Sequence, residues 1–285
     1  QWESQYVDLY KRHQIFEKAI HEKYPDMRIL GTAGPFLDSP ITEDAWKFYN
    51  NEFKANPNTC YAVDEHYYVS PQWMYDHVDH YEDIAVFAGE YAAHTTDRQN
   101  NMESALAEAA LLTGIEKNAD VVKLASYAPL FNRVGHSQWK PDMIWFDDEK
   151  VYLTPNYYVQ MLFANHVGDE TIPMNGQEKE LRKDGIYVSL SRTQQGETIL
   201  KVANVNDSDY TLPLTDGADV PVEAIGHAWI LEGTGEIPAR TEQQAISVTS
   251  STSSAETWVH QAVYLSCSLM LVLLLWRTTV LTRTR

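Results

Sequence analysis

Val86-Phe87-Ala88-Gly89-Glu90-Tyr91-Ala92 reads as a short apolar strand that delivers one carboxylate at its C-terminal end. In folds that alternate strands and helices around a barrel, the C-terminal strand ends are where catalytic groups sit. A capping or salt-bridged Glu at a strand–helix turn accounts for the same seven residues equally well. What separates the two lies in the rest of the chain.

Working outward, residues 6–24 place Tyr6, Leu9, Tyr10, Ile15, Phe16, Ala19 and Ile20 at amphipathic-helix spacing, and Pro25-Asp26 ends that helix. A strand at residues 27–33 follows and runs into a Gly34-Pro35 turn. A helix at 42–53 opens with Thr42-Glu43-Asp44. A strand at 61–68, a helix at 71–81 and the strand carrying Glu90 come next. The spacing then predicts a helix over 100–117, with Glu103, Glu108 and Glu116 on its exposed face, a strand over 121–126 and a helix over 156–166. Strands alternating with helices imply parallel pairing through right-handed crossovers. Four such strands make half of an eight-stranded barrel or a small open sheet. No G-x-G-x-x-G or Walker pattern supports a nucleotide-binding open sheet.

After residue 168 the pattern changes to short alternating or apolar runs at 186–192, 198–205 and 224–231, separated by Asn, Asp and Gly turns. These predict a small antiparallel β-sandwich. The expected boundaries are 1–167, 168–246 and a Ser/Thr linker with apolar tail at 247–285. The apolar run at 262–276 falls short of the roughly 20 residues of a membrane span. Its readings are a tail anchor touching a membrane, a lipid-anchor signal or sequence foreign to the domain, and the tail is expected not to pack in the β domain.

The 285 residues are 44% hydrophobic and 12% aromatic, with 8 Trp and 17 Tyr, which suits sugar clefts and ordinary cores alike. A formal net charge of -18 argues against a nucleic-acid partner and leaves neutral substrates such as polysaccharides open. Two cysteines, Cys60 and Cys267, build neither a disulfide framework nor a zinc site. Half of a barrel would leave two open strand edges, so low stability or homo-oligomeric association is expected.

Several stretches together carry a family resemblance: Phe16-Glu17-Lys18-Ala19-Ile20, Asp64-Glu65-His66-Tyr67-Tyr68, the segment around Glu90, Lys123-Leu124-Ala125-Ser126-Tyr127, Trp139-Lys140-Pro141-Asp142 and Tyr157-Tyr158-Val159-Gln160. In this order, over residues 1–240, the chain resembles the C-terminal part of the α-L-arabinofuranosidases of glycoside hydrolase family 51. The resemblance implies the C-terminal half of a TIM (β/α)8 barrel followed by an antiparallel β-sandwich. It implies an enzyme that releases terminal arabinofuranosyl groups from arabinan- or arabinoxylan-type polysaccharides and oligosaccharides, with no cofactor and no metal. Members work inside and outside cells, with the outside the favoured compartment here.

The resemblance makes Glu90 the nucleophile on a seventh barrel strand. Retaining hydrolysis needs a second carboxylate about 5–5.5 Å away. That acid/base is expected just ahead of Gln1, because Gln-Trp often follows the family's Gly-Asn-Glu motif; Glu3 is a poor substitute. His66 and Tyr68 match a pair that lines the sugar pocket, the Tyr orienting the nucleophile through a hydrogen bond that favours an ionised carboxylate. Tyr67 is expected to point the opposite way, since strand side chains alternate. Asn132 and Trp139 fall in the loop after the eighth strand and are expected to contact substrate. His77 and His80, with Asp76 and Asp79 nearby, form a metal-like spacing that a solvated helix face explains as well.

Overall fold

The computed structural model describes residues 9–208, 210–212, 227–232, 247–252, 264–265 and 270–277. Residues 1–8, with Glu3 and the first turn expected of the first helix, and residues 224–226 lie outside the described residues. Its contacts divide the chain into two units, each discontinuous in sequence. One takes the residues up to Val69, Asp79–Ala92 and Asn118–Ala128; the other takes Ser70–Val78, Ala93–Lys117 and the chain from Pro129 onward.

The first unit holds helices α1 (Leu9–Lys23) and α2 (Pro40–Ala55) and strands β1 (Leu30–Thr32), β2 (Ala62–Val69), β3 (Val86–Ala93) and β4 (Val122–Tyr127). The strands stand in one sheet in sequence order, β1-β2-β3-β4, with β1/β2 and β3/β4 parallel. Helix α2 starts two residues earlier than expected, because Ser39 caps it: its hydroxyl accepts from the Ile41 N–H at 3.3 Å, and Pro40 fits the first helical turn. The core of this unit is Ala33, Ala45, Tyr49, Cys60 and Val63, with Tyr10, Trp46, Phe48, Phe53 and Ile84 packed against it. The Tyr49 hydroxyl accepts from the Thr32 N–H at 2.9 Å, and its ring fills the space a side chain on Gly31 would need.

The second unit holds α3 (Pro71–Asp76), α4 (Met102–Lys117), α5 (Pro155–Asn165) and α6 (Gln177–Lys183). Helix α3 stops five residues short of the expected end at Tyr81. The His77 ring Nδ1 bonds the Trp73 carbonyl at 2.8 Å, and the Val78 backbone lies so close to α4 that only the missing side chain of Gly114 makes room. Helix α4 begins with Asn101 and Ser104 capping each other's backbone N–H, at 2.9 and 3.0 Å. Every residue from Ser104 to Ile115 is buried. The expectation that Glu108 lies on an exposed face is therefore corrected: an Ala- and Leu-rich helix apolar on all sides is a buried helix.

Three strands, β5 (Phe131–Arg133), β6 (Ile144–Phe146) and β7 (Val151–Leu153), make a small mixed sheet. The remaining strands are β8 (Glu170–Thr171), β9 (Ile186–Arg192), β10 (Glu197–Asn204), β11 (Tyr210–Thr211), β12 (His227–Glu232), β13 (Ser247–Thr252), β14 (Tyr264–Leu265) and β15 (Met270–Arg277). An antiparallel sheet takes the order β13-β12-β15-β10-β9-β8, and β11 pairs with β14. The tail expected to stand apart from the β domain instead supplies β15, paired along its whole length with β10 and over six residues with β12. Seven apolar residues and an Arg are too few for a membrane span but the right length for a strand paired on both edges. Among the described residues no helix is long and apolar enough to cross a membrane.

Candidate active site

Strand alternation sorts the segment 62–69 into two faces. Glu65 and Tyr67 are buried, whereas Asp64, His66 and Tyr68 lie on a half-open face. Glu65 is 2% exposed and fully engaged: it accepts from Trp46 Nε1–H (2.7 Å) and the Tyr67 hydroxyl (2.7 Å), and meets His80 Nε2 at 3.2 Å. This carboxylate ties β2 to α2 and is spent on structure.

On β3 the alternation is interrupted. Ala88 pairs with Ala125 and Tyr91 with Tyr127, so Gly89 and Glu90 together oppose Ser126 alone. The Ser126 hydroxyl donates to the Gly89 carbonyl and secures this β-bulge. A bulge bends the strand and re-aims a side chain. Here the half-open positions become Phe87 and Glu90, three residues apart. The bulge also explains Gly89: a Cβ there would overlap the Asp64 carboxylate and press on the Phe87 ring.

The consequence is a compact polar group. The Tyr68 hydroxyl donates to Glu90 Oε2 at 2.6 Å. His66 Nδ1 lies 3.3 Å from the same oxygen, and His66 Nε2 lies 3.0 Å from Asp64 Oδ2. Glu90 keeps 43% of its side chain exposed, open to an incoming molecule, while His66 keeps 16%. Burial by itself disfavours a charged His66. The hydrogen bond and charge of Asp64, the charge of Glu90 and the Pro35 carbonyl outweigh it, and its pKa is raised. Phe36, in the loop after β1, sets its ring 6.2 Å from that of Tyr68 and is half exposed. The arrangement holds one accessible carboxylate by a hydrogen bond from Tyr68 and sets the His66 ring at ion-pair distance from the same oxygen, which suits a nucleophile.

The family model described as the α-L-arabinofuranosidase C-terminal domain matches residues 72–267, more than half of the chain. The chain belongs to this family. It is 40% identical over 171 residues to an extracellular exo-α-L-arabinofuranosidase of Streptomyces chartreusis, covering 58% of this chain and 20% of that protein. It is 31% identical over 240 residues to a probable α-L-arabinofuranosidase A of Aspergillus terreus, covering 82% of this chain and 34% of that one. The chain thus spans a fifth to a third of these relatives. An arabinose-bound family 51 α-L-arabinofuranosidase superposes with a TM-score of 0.70 at 25% identity, over 91% of this chain and 41% of that structure. A family 51 enzyme from Bifidobacterium longum shares the fold with a TM-score of 0.65 at 14% identity, over 92% and 61%.

In this arabinofuranosidase C-terminal region the residues singled out from sequence fall into two groups. Glu90, His66 and Tyr68 meet in the first unit. Asn132 and Trp139 belong to the second unit. Asn132 is buried, and its amide donates to the Ser137 hydroxyl (2.8 Å), the Trp139 carbonyl (3.1 Å) and the Asp142 carboxylate, so it staples the loop. Trp139 is 67% exposed. His77 stacks flat on Trp73 at 4.1 Å, and His80 serves Glu65. Sequence reading gave no site role to Asp64, Gly89, Ser126 or Phe36. Only Asp64 left a signal, the two-residue spacing to His66 and Tyr68 on one strand; the others act through a bulge and a loop that periodicity does not reveal.

Proposed function

We propose that this chain carries the nucleophile half of a retaining α-L-arabinofuranosidase that removes terminal arabinofuranosyl groups from arabinan- or arabinoxylan-type glycans. The observation that carries the reading is the Tyr68–Glu90 hydrogen bond at 2.6 Å, with His66 on the same oxygen. The relatives' names as arabinofuranosidases support the substrate class, and the Streptomyces name supports work outside the cell. The four sequential strands of the first unit are read as part of a TIM barrel, with Glu90 in the C-terminal half of its strand.

In the proposed reaction the carboxylate of Glu90 attacks the anomeric carbon. The bond from that carbon to the departing glycosidic oxygen breaks as the ester to Glu90 forms, and a second carboxylic acid protonates the departing oxygen. The same group then takes a proton from water, which hydrolyses the ester. The Tyr68 hydroxyl bonds Oε2 and His66 lies nearest the same oxygen, which leaves Oε1 to form the bond. In the second unit Trp139 is proposed as a substrate contact through stacking on a sugar face, and Asn132, expected to contact substrate, holds its loop instead. Because the chain spans only a fifth to a third of its relatives, the 285 residues are proposed to be inactive alone.

The test uses the longest natural polypeptide that carries this sequence. A 2-fluoro arabinofuranosyl inactivator should label the peptide containing Glu90, and Glu90→Gln should abolish turnover on an aryl α-L-arabinofuranoside. Label on another carboxylate, or normal rates in the variant, would overturn the assignment. A panel of aryl xylosides and glucosides reads the specificity.

A further inference from the structure

His66 stands between two carboxylates, one on each ring nitrogen: Asp64 Oδ2 at 3.0 Å from Nε2 and Glu90 Oε2 at 3.3 Å from Nδ1. A neutral imidazole has a single N–H. If that hydrogen served Asp64, a nitrogen lone pair would face the Glu90 carboxylate. If it served Glu90, the lone pair would face Asp64. The doubly protonated ring bonds Asp64 through Nε2–H and presents an N–H rather than a lone pair to the Glu90 carboxylate at ion-pair distance. The second oxygen of Asp64, Oδ1, is buried without a hydrogen-bond partner. It sits where a side chain on Gly89 would begin, so the absence of that side chain makes the room. Asp64 thus reaches from β2 to the bulge on β3 and is held there by shape.

We propose that Asp64 is a positioning residue for the reaction assigned to Glu90: it holds His66 through Nε2 so that an Nδ1–H faces the nucleophile. The proposal rests on that assignment. When Glu90 becomes an ester its charge disappears, and His66 loses one of its two anionic partners. Asp64 stays bonded, keeps the ring in place, and lets it re-engage Glu90 when water releases the sugar. The titratable groups facing His66 among the described residues are Asp64 and Tyr68 on β2 and Glu90 on β3, joined by the Pro35 carbonyl from the loop after β1. Burial opposes charge on the ring, but these acceptors raise its pKa on balance.

The experiment titrates the His66 imidazole by nitrogen-15 NMR in the 285-residue chain, with Asp64→Asn and Glu90→Gln alongside. In the unaltered chain His66 should stay doubly protonated past the ordinary histidine midpoint. Asp64→Asn should lower that midpoint by about one pH unit or more, the displacement expected from removing an adjacent opposite charge. In the longest natural polypeptide the same change should move the basic limb of the kcat/KM profile toward acid. At pH 8 it should lower kcat about tenfold with KM altered less than about threefold, as for an interaction that matters in the chemical step. An unchanged limb and an unchanged midpoint would overturn the proposal. So would an unaltered chain whose His66 titrates at or below the ordinary value, a result that stands even if Asp64→Asn fails to fold. Failure of the nucleophile reading shows separately, as retained turnover in Glu90→Gln with the NMR result intact.

Discussion

Glu108 sits inside α4 with no exposed surface, its Oε1 accepting the Ala93 N–H at 3.0 Å and its Oε2 buried without a hydrogen-bond partner. Burial pushes its pKa from 4.5 up to about 8, against the bond from the Ala93 N–H. Between those two values the folded chain keeps a proton that the unfolded chain has released. Rising pH therefore favours unfolding. The stability Glu108 contributes is fully present below pH 4.5 and is lost as the pH rises through about 8. At about 1.4 kcal/mol per pH unit, that interval is worth at most about 5 kcal/mol, comparable with the whole stability of a small domain at about 5–15 kcal/mol. Glu108→Gln keeps an acceptor for Ala93 and does not titrate. Urea unfolding at pH 5, 6.5 and 8 should show the variant gaining on the parent as pH rises, by a few kcal/mol in total. A difference between variant and parent that is constant across this range would refute the argument.

Three further outcomes follow from the geometry. Tyr68→Phe removes a bond to a charged acceptor on a partly exposed carboxylate; at about 1.5 kcal/mol this is roughly a tenfold fall in kcat/KM on an aryl arabinofuranoside. Gly89→Ala places a methyl on the Asp64 carboxylate and should cost about 1–3 kcal/mol, read as a lowered melting temperature; an unchanged melt would mean the bulge yields freely. Lys201, fully buried, pairs with Glu116 and lies 4.4 Å from the Phe163 ring. Glu116→Ala should therefore cost about 3–5 kcal/mol in urea unfolding by stranding the ammonium, and Lys201→Met should cost less.

Much of the element order was readable because local physics dictates it. Pro and Gly punctuation and a 3.6-residue apolar period predicted α1, α2, α4 and α5, and apolar runs between them predicted β1 to β4. The helix α3 ends early where the Val78 backbone just beyond it packs on Gly114 of α4, a contact with no trace in residues 71–81. The apolar tail misled for a related reason. An apolar run does not name its pairing partners, and here they are β10 and β12, which lie far away in the chain.

The same division holds at the site. The sequence by itself determined that His66 and Tyr68 share one face of a strand and that a carboxylate follows a Gly on the next, because a two-residue period needs no tertiary information. Only the tertiary structure decided that β2 and β3 are neighbours and that a bulge turns Glu90 toward Tyr68. It alone divided the carboxylates of the motif, sending Glu65 to the core and Asp64 to His66. Pairing partners and an extra residue in a ladder are long-range facts, and residue type alone does not encode them.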